Sequence, residues 1–334
     1  MLSNQTIIYN LEMKTYQQLW QSLTPLYDAG EAQAIVRTVL DVKYGMTLTD
    51  IIGGKVNELS ADEGRKLEEI IIRLQKGEPV QYVLGEADFA GRTFHVEPGV
   101  LIPRPETAEL CQWIEEDMAG KSTVSSEDSP LATDDARQIL DICTGSGCIA
   151  ITLGLNIPNS EVTGWDISED ALRIAQGNVK MLKARNVRIE YQDALALQKA
   201  AETDNENMKV NADKEVVKSK GEAKTPSTQK WDMIVSNPPY ICEKEKADME
   251  KNVLEHEPSI ALFVPDEDPL KFYRAIAEYA SSALKPGGAL YFEINPIYEK
   301  ETRKMLQSLG FKDIETKEDA FGKKRMMKAK NNKE

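Results

Sequence analysis

The sequence predicts an α/β protein: a seven-stranded, mostly parallel sheet covered by helices on both faces, preceded by a small all-helical domain and a β-hairpin linker. Three observations carry this prediction. From residue 106 onward short apolar runs alternate with amphipathic stretches of helical period. Residues 1–76 read as helical throughout, and between the two lies a segment of alternating β-branched and aromatic residues broken at Ala90-Gly91. A chain of 334 residues suits about two domains of roughly 150 residues each.

In chain order, "TYQQLWQSLTPLY", "GEAQAIVRTVLDVKYG", "TLTDIIGG" and "SADEGRKLEEIIIRLQKG" are the helices of the first domain, 1–78. In the last of them Ser60 is the expected N-cap, with Glu63 three residues on, and Gly77 is the stop after Lys76. The segment "PVQYVLGEADFAGRTFHVEPGVLIPRP" predicts a hairpin, giving a linker over 79–98 and an α/β domain over 99–334. There the strands are "QILDIC", "EVTGWDI", "VRIEY", "DMIVS", "GALYFEI", "FKDIET" and "RMMKAK". Helices are expected at "ETAELCQWIEEDM", "GCIAITLGLN", "SEDALRIAQGNVKMLKA", "PLKFYRAIAEYASSAL" and "YEKETRKMLQSLG". The last two strands have no helix between them, so they form an antiparallel edge. Residues 119–137 and 199–230 are polar and free of aromatics, and are expected to be disordered surface insertions.

Composition narrows the function. With 41 Lys+Arg against 55 Asp+Glu the net charge is −14, which disfavours a phosphate-backbone partner. No secretory leader and no long apolar run is evident, so a cytoplasmic protein without a membrane partner is expected. The four cysteines, Cys111, Cys143, Cys148 and Cys242, form no C-x-x-C pair, so neither a metal site nor a disulfide framework is expected. The only histidines, His95 and His256, read as structural.

The chemistry concentrates at strand ends. "ILDICTGSGCIAI" sets a glycine-rich turn between a strand and a helix, where Gly145 and Gly147 let a ligand approach the backbone and the helix N-terminus offers free N–H groups. Asp166 closes the next strand 21 residues after Gly145, where a carboxylate could accept from both ribose hydroxyls. Asp193 ends the third strand, within reach of an adenine amino group or a nearby backbone. Together they describe a nucleoside crevice of Rossmann-like type; the alternative is that the aspartates only cap the helices after them. On the fourth strand "SNPPY" stands where a dehydrogenase would hold nicotinamide and a catalytic His, Lys or Tyr.

At this point the chain resembles the HemK/PrmC protein-(glutamine-N5) methyltransferases, which methylate the glutamine of the Gly-Gly-Gln motif in class-1 peptide chain release factors. The motifs are "GEPVQYVLG" (77–85), "GVLIPRPET" (99–107), "LDICTGSGCIAI" (140–151), "GWDIS" (164–168), "IVSNPPYI" (234–241), "EHEPSIALF" (255–263) and "LKPGGALYFEI" (284–294). The resemblance implies a class I S-adenosylmethionine-dependent methyltransferase fold, S-adenosyl-L-methionine as cofactor, and release factors as protein substrate held by the helical domain; a monomer is expected. It puts the cofactor loop on Cys143, Thr144, Gly145, Ser146 and Gly147, the ribose carboxylate on Asp166, and the adenine side on Asp193 and Ala194. Two places depart from the family pattern. Ala194 stands where some relatives carry an aromatic residue, and "EINPIYEK" where relatives often have glycine and then glutamine.

The expected substrate and catalytic residues are Asn237, Pro238, Pro239 and Tyr240, with Asn237 also at the cofactor. The Asn237 side-chain oxygen and the Pro238 carbonyl would accept the two N–H groups of a primary amide, held by two prolines of fixed φ. Tyr240 would supply an apolar wall and a hydrogen bond. Arg104, Glu106 and Thr107 are expected to flank the cofactor entrance, with Glu106 alternatively only an early-turn residue favoured by the helix dipole. Three rivals stand beside this reading: a DNA or RNA base-amino methyltransferase, a non-catalytic nucleoside-binding assembly factor, and a nicotinamide-dependent dehydrogenase.

Overall fold

A computed structural model describes residues 14–122, 136–197 and 230–332. The chain divides into two units, one running to Gly85 and including Glu250–His256, the other formed by Glu86–Met249 and the remainder from Glu257.

The first unit is helical: α1 Tyr16–Gln21, α2 Ala29–Tyr44, α3 Leu48–Ile52, α4 Ala61–Leu74 and α5 Val80–Leu84, with a 3-10 turn at Lys55–Glu58. Its helices start where side chains can take the orphan N–H groups. The Asp28 carboxylate accepts from Glu31 N at 2.9 Å, and Ser60 and Glu63 form the reciprocal box the sequence predicts. Gly77 has φ 80°, as the expected helix stop requires. The core is a stripe from α2 (Val36, Val39, Leu40) against one from α4 (Leu67, Ile71, Leu74).

Residues 80–84 are helical rather than part of a hairpin strand. Tyr82, Val83 and Leu84 are all buried, which a strand with one wet face cannot achieve. Cations cover the end of this short turn: Arg73 Nη1 donates to Val83 O at 3.2 Å and Lys43 Nζ to Leu84 O at 2.7 Å. The hairpin itself is β1 Glu86–Phe89 and β2 Arg92–His95, paired from Glu86↔His95 to Phe89↔Arg92. Ala90 (φ 48°) and Gly91 (φ 73°) supply the two positive φ angles of a tight hairpin turn.

The second unit continues with α6 Pro105–Ser122, β3 Arg137–Ile142, α7 Cys148–Asn156, β4 Ser160–Asp166, α8 Glu169–Met181, β5 Val187–Tyr191 and β6 Trp231–Ser236. A two-residue parallel pair, β7 Ile241–Cys242 and β8 Phe263–Val264, precedes the helix Lys271–Ala283 and β9 Leu284–Glu293. The helix Glu299–Ser308 and strands β10 Lys312–Glu318 and β11 Lys324–Lys330 close the chain. The sheet has seven strands in the order β10-β11-β9-β6-β3-β4-β5. It is parallel except at β11, which runs antiparallel to both neighbours, as the missing crossover helix predicts.

Period-2 alternation sends successive residues of each central strand to opposite cores. Ile139, Met233, Val235 and Tyr291 face one cluster, with residues of α6 and α7. Leu140, Ile142, Ile234, Leu290 and Phe292 face the other, with Tyr273, Ile276 and Leu306 from the later helices. The expected insertions need one correction: α6 continues through residues 119–122. Apart from that turn and the flanking residues 136–137 and 230, the expectations for 119–137 and 199–230 lie outside the described residues.

Candidate active site

The glycine-rich turn follows β3, an interior strand flanked by β4 on one side and β6 on the other, where the chain order reverses. Ligands of open α/β sheets bind at such a switch point. A cavity of about 360 Å³ opens here, within the range of small-molecule sites. Its wall includes Cys143 to Ser146 from the turn, Asp166 from the end of β4, and Asp193 and Ala194 from beyond β5. Asn237 and Pro239 follow β6, and Arg104 and Thr107 come from the start of α6. Four expected residues do not line it: Glu106, Gly147, Pro238 and Tyr240.

Each of the four has a physical reason. Glu106 lies in the first turn of α6, where a carboxylate meets the positive end of the helix dipole. Gly147 (φ 81°) is the N-cap of α7, and a Cβ there would sit 3.1 Å from Ile151 and 3.2 Å from Ala175, so its glycine serves close helix contact. Pro238 is buried. The Tyr240 hydroxyl turns inward and donates to Glu293 Oε1 at 2.9 Å, so it is not presented to a substrate.

Gly145 differs from Gly147. Its φ is 55° and nothing lies within 4 Å of where a Cβ would be, so this backbone is open to a ligand. Its N–H donates to Asp166 Oδ2 at 2.9 Å, while Ser168 N donates to Oδ1 at 2.9 Å. Asp166 thus fixes the turn and still borders the cavity. Burial raises its pKa, against the pull of those backbone donors. Asp193 Oδ1 accepts from Leu195 N at 2.8 Å, so it too holds the segment after it while lining the cavity. Ala194 leaves the wall there without a ring, and Phe263 and Phe272 contribute aromatic surface elsewhere on it.

Beneath the turn Asp141 is fully buried, its Oδ2 accepting from Thr144 Oγ1 at 2.6 Å and Ala150 N at 3.1 Å, its Oδ1 without a partner among the described residues. Desolvation pushes its pKa up to about 7 despite those two hydrogen bonds. Burial likewise lifts the Cys143 thiol well above its usual range and Cys148 up to about 12, so both remain protonated and neither serves as a thiolate nucleophile. Neither histidine borders the cavity.

The Asn237 side chain is held from one end. Its Nδ2 donates to Thr107 Oγ1 at 3.2 Å, and that hydroxyl donates to Glu293 Oε2 at 2.6 Å. The Asn237 amide oxygen and the Pro238 carbonyl accept no hydrogen bond among the described residues. The Asn237 amide oxygen is therefore an unused acceptor on a residue that lines the cavity, and the Pro238 carbonyl is an unused acceptor on its buried neighbour.

Several contributors escaped the sequence reading. Glu293 lies inside the apolar run "ALYFEI", where a single acid among buried neighbours was the available signal. Glu257, buried, receives an ion pair from Arg104 and a hydrogen bond from Ile102 N at 3.1 Å, which fixes the "IPRPET" segment over the site. Asn178 of α8 donates to Ser146 O at 2.9 Å and to His95 O at 3.0 Å, and accepts from His95 N at 2.8 Å, tying the hairpin to the turn.

Comparison with known proteins agrees with this geometry. Residues 133–327 match the family described as a methyltransferase domain, and residues 25–85 match the PrmC N-terminal domain. A release factor glutamine methyltransferase of Bacteroides thetaiotaomicron is 44% identical over 92% of this chain and 96% of its own. One of Flavobacterium psychrophilum is 36% identical over 95% and 98%, and one of Streptococcus pneumoniae 34% over 84% and 86%. With its sheet order and these relatives, the protein has the class I methyltransferase fold, is a methyltransferase, and belongs to the release factor glutamine methyltransferase family.

Proposed function

We propose that the protein transfers the methyl group of S-adenosylmethionine to the side-chain amide nitrogen of the glutamine in the Gly-Gly-Gln motif of class-1 peptide chain release factors. The observation that carries this reading is Asn237, with its nitrogen committed to Thr107 and its oxygen open beside the unused Pro238 carbonyl. The names of its relatives support the substrate class.

The residues fit the cofactor. The open backbone at Gly145 can lie against it, Asp166 brings a carboxylate to the cavity wall for the ribose hydroxyls, and Asp193 and Ala194 border the adenine end. S-adenosylmethionine, when bound, supplies a methyl on a sulfonium whose departure as neutral thioether needs no acid. What remains for the protein is to position a poor nucleophile. A primary amide nitrogen delocalises its lone pair into the carbonyl, and Asn237 Oδ1 and Pro238 O can hold its two N–H groups while the nitrogen faces the cavity. Two prolines in sequence make those acceptors rigid before the substrate arrives, which lowers the ordering cost of binding.

The base-amino alternative would use the same two acceptors. A net charge of −14 weighs against a nucleic-acid substrate. The test is incubation with methyl-labelled S-adenosylmethionine and, separately, a release factor, its glutamine-substituted variant, and total nucleic acid. Label on the intact factor alone is expected; label on nucleic acid, or on the glutamine-substituted factor, would overturn the reading.

A further inference from the structure

We infer that Thr107 and Glu293 together dictate which way round the Asn237 amide is held, making them positioning residues for the methyl-accepting nitrogen. This rests on the proposed function of Asn237. It concerns a device that acts through Asn237, assembled from the first turn of α6, the end of β9 and the turn after β6.

The argument follows single protons. A threonine hydroxyl has one hydrogen to give. At Thr107 it goes to Glu293 Oε2, 2.6 Å away and buried. What the hydroxyl turns toward Asn237 is therefore a lone pair, and of the two ends of the amide only Nδ2 can satisfy it, at 3.2 Å. The amide oxygen is left for the cavity side. Were the hydroxyl proton free to point at Asn237, the amide could reverse and present N–H groups to a substrate that also carries N–H groups. Such a juxtaposition repels.

Glu293 is built to keep that proton. Its second oxygen accepts from Tyr240 Oη at 2.9 Å, and Tyr240 Oη in turn accepts from Arg325 Nη1 at 3.4 Å. With Arg325 donating to it, the tyrosine presents its own proton to Glu293. Each oxygen of Glu293 is thus engaged as an acceptor by one hydroxyl. Burial raises the Glu293 pKa while both hydroxyls and the Arg325 charge draw it down and Glu106 opposes them, so the acceptor state depends on the donors being present. The backbone beneath is pinned by Tyr273, which donates to Glu293 O at 3.2 Å and accepts from Asn295 N at 3.1 Å.

The test compares Thr107→Val, Thr107→Ser and Glu293→Gln in the full chain. In single-turnover transfer, Thr107→Val and Glu293→Gln are each expected to slow kcat by on the order of tenfold or more, with KM for the release factor moved much less. Thr107→Ser, which keeps the hydroxyl, should restore transfer to within about threefold. A second readout needs no activity: the Asn237 side-chain amide resonances, assigned by their loss in Asn237→Ala, should shift and exchange faster in Thr107→Val and stay as in wild type in Thr107→Ser. Unchanged resonances in Thr107→Val, transfer by it within threefold of wild type, or a serine variant as slow as the valine one would each overturn the inference. If the wild-type protein transferred no methyl group to a release factor, the proposed function would fail while the resonances still decided the orientation of the amide.

Discussion

Asp141 should make this protein less stable as pH rises from about 4 to 7, and Asp141→Asn should abolish that dependence. The carboxyl is fully buried with one oxygen unpartnered among the described residues, and its pKa stands at about 7. In the unfolded chain an aspartate titrates near 3.9, so across that window the native state holds a proton that the unfolded state has lost. The sign is then fixed: stability from this group is complete below the unfolded value and is lost as pH climbs toward the folded one, by about 1.4 kcal/mol per pH unit. Over the three-unit gap the total is about 4 kcal/mol. Asparagine can still accept from Thr144 and Ala150 through its oxygen and carries no titration. Urea denaturation at pH 5, 6, 7 and 8, followed by fluorescence of Trp165 and Trp231 in the sheet, gives the difference in stability between variant and wild type. That difference should move in favour of the variant by roughly 2 kcal/mol between pH 5 and 7. A difference flat to within about 0.5 kcal/mol would refute the reasoning.

The supports of the site yield two further outcomes. A Cβ at Gly164 would lie 2.8 Å from Thr144 Oγ1 and 2.9 Å from Ile189 Cδ1. Gly164→Ala should therefore cost about 1–3 kcal/mol of stability, and by displacing Thr144 it should weaken S-adenosylmethionine binding in a calorimetric titration; unchanged affinity would show that the turn tolerates the shift. Glu257→Ala leaves Ile102 N–H unpaired and Arg104 without its carboxylate. Because Arg104 is partly exposed, the loss should be about 2–3 kcal/mol rather than that of a fully buried pair, read from the denaturation midpoint.

Much of the fold was legible because it is written in short-range signals. Strands β3, β4 and β6 are apolar runs ended by turn residues, and the Ser60–Glu63 box and the Ala90-Gly91 turn are local. The helix at residues 80–84 was missed because its stability comes from Arg73 and Lys43 covering its carbonyls and from burial against the helical core, none of it local. At the site the same division holds. Gly145, Asp166, Asp193 and Asn237 could be found since parallel strands must bring their ends together. Their supporting partners could not: Thr107, expected at the entrance, meets Glu293 186 residues away, and Arg104, expected there too, meets Glu257 153 residues away. Tyr240 shows the limit of reading a motif by adjacency. It neighbours Asn237 and Pro238 in sequence, yet its hydroxyl faces Glu293 in the interior.

The central claim is that Asn237 positions the accepting amide, and single-turnover transfer by Asn237→Ala, with S-adenosylmethionine affinity measured on the same preparation, tests it most directly. Its amide oxygen accepts nothing else among the described residues, so its removal should act on the reaction and not on the fold. Transfer should fall on the order of 100-fold or more while cofactor affinity changes by only a few-fold. Transfer within a few-fold of the wild-type rate would contradict the account.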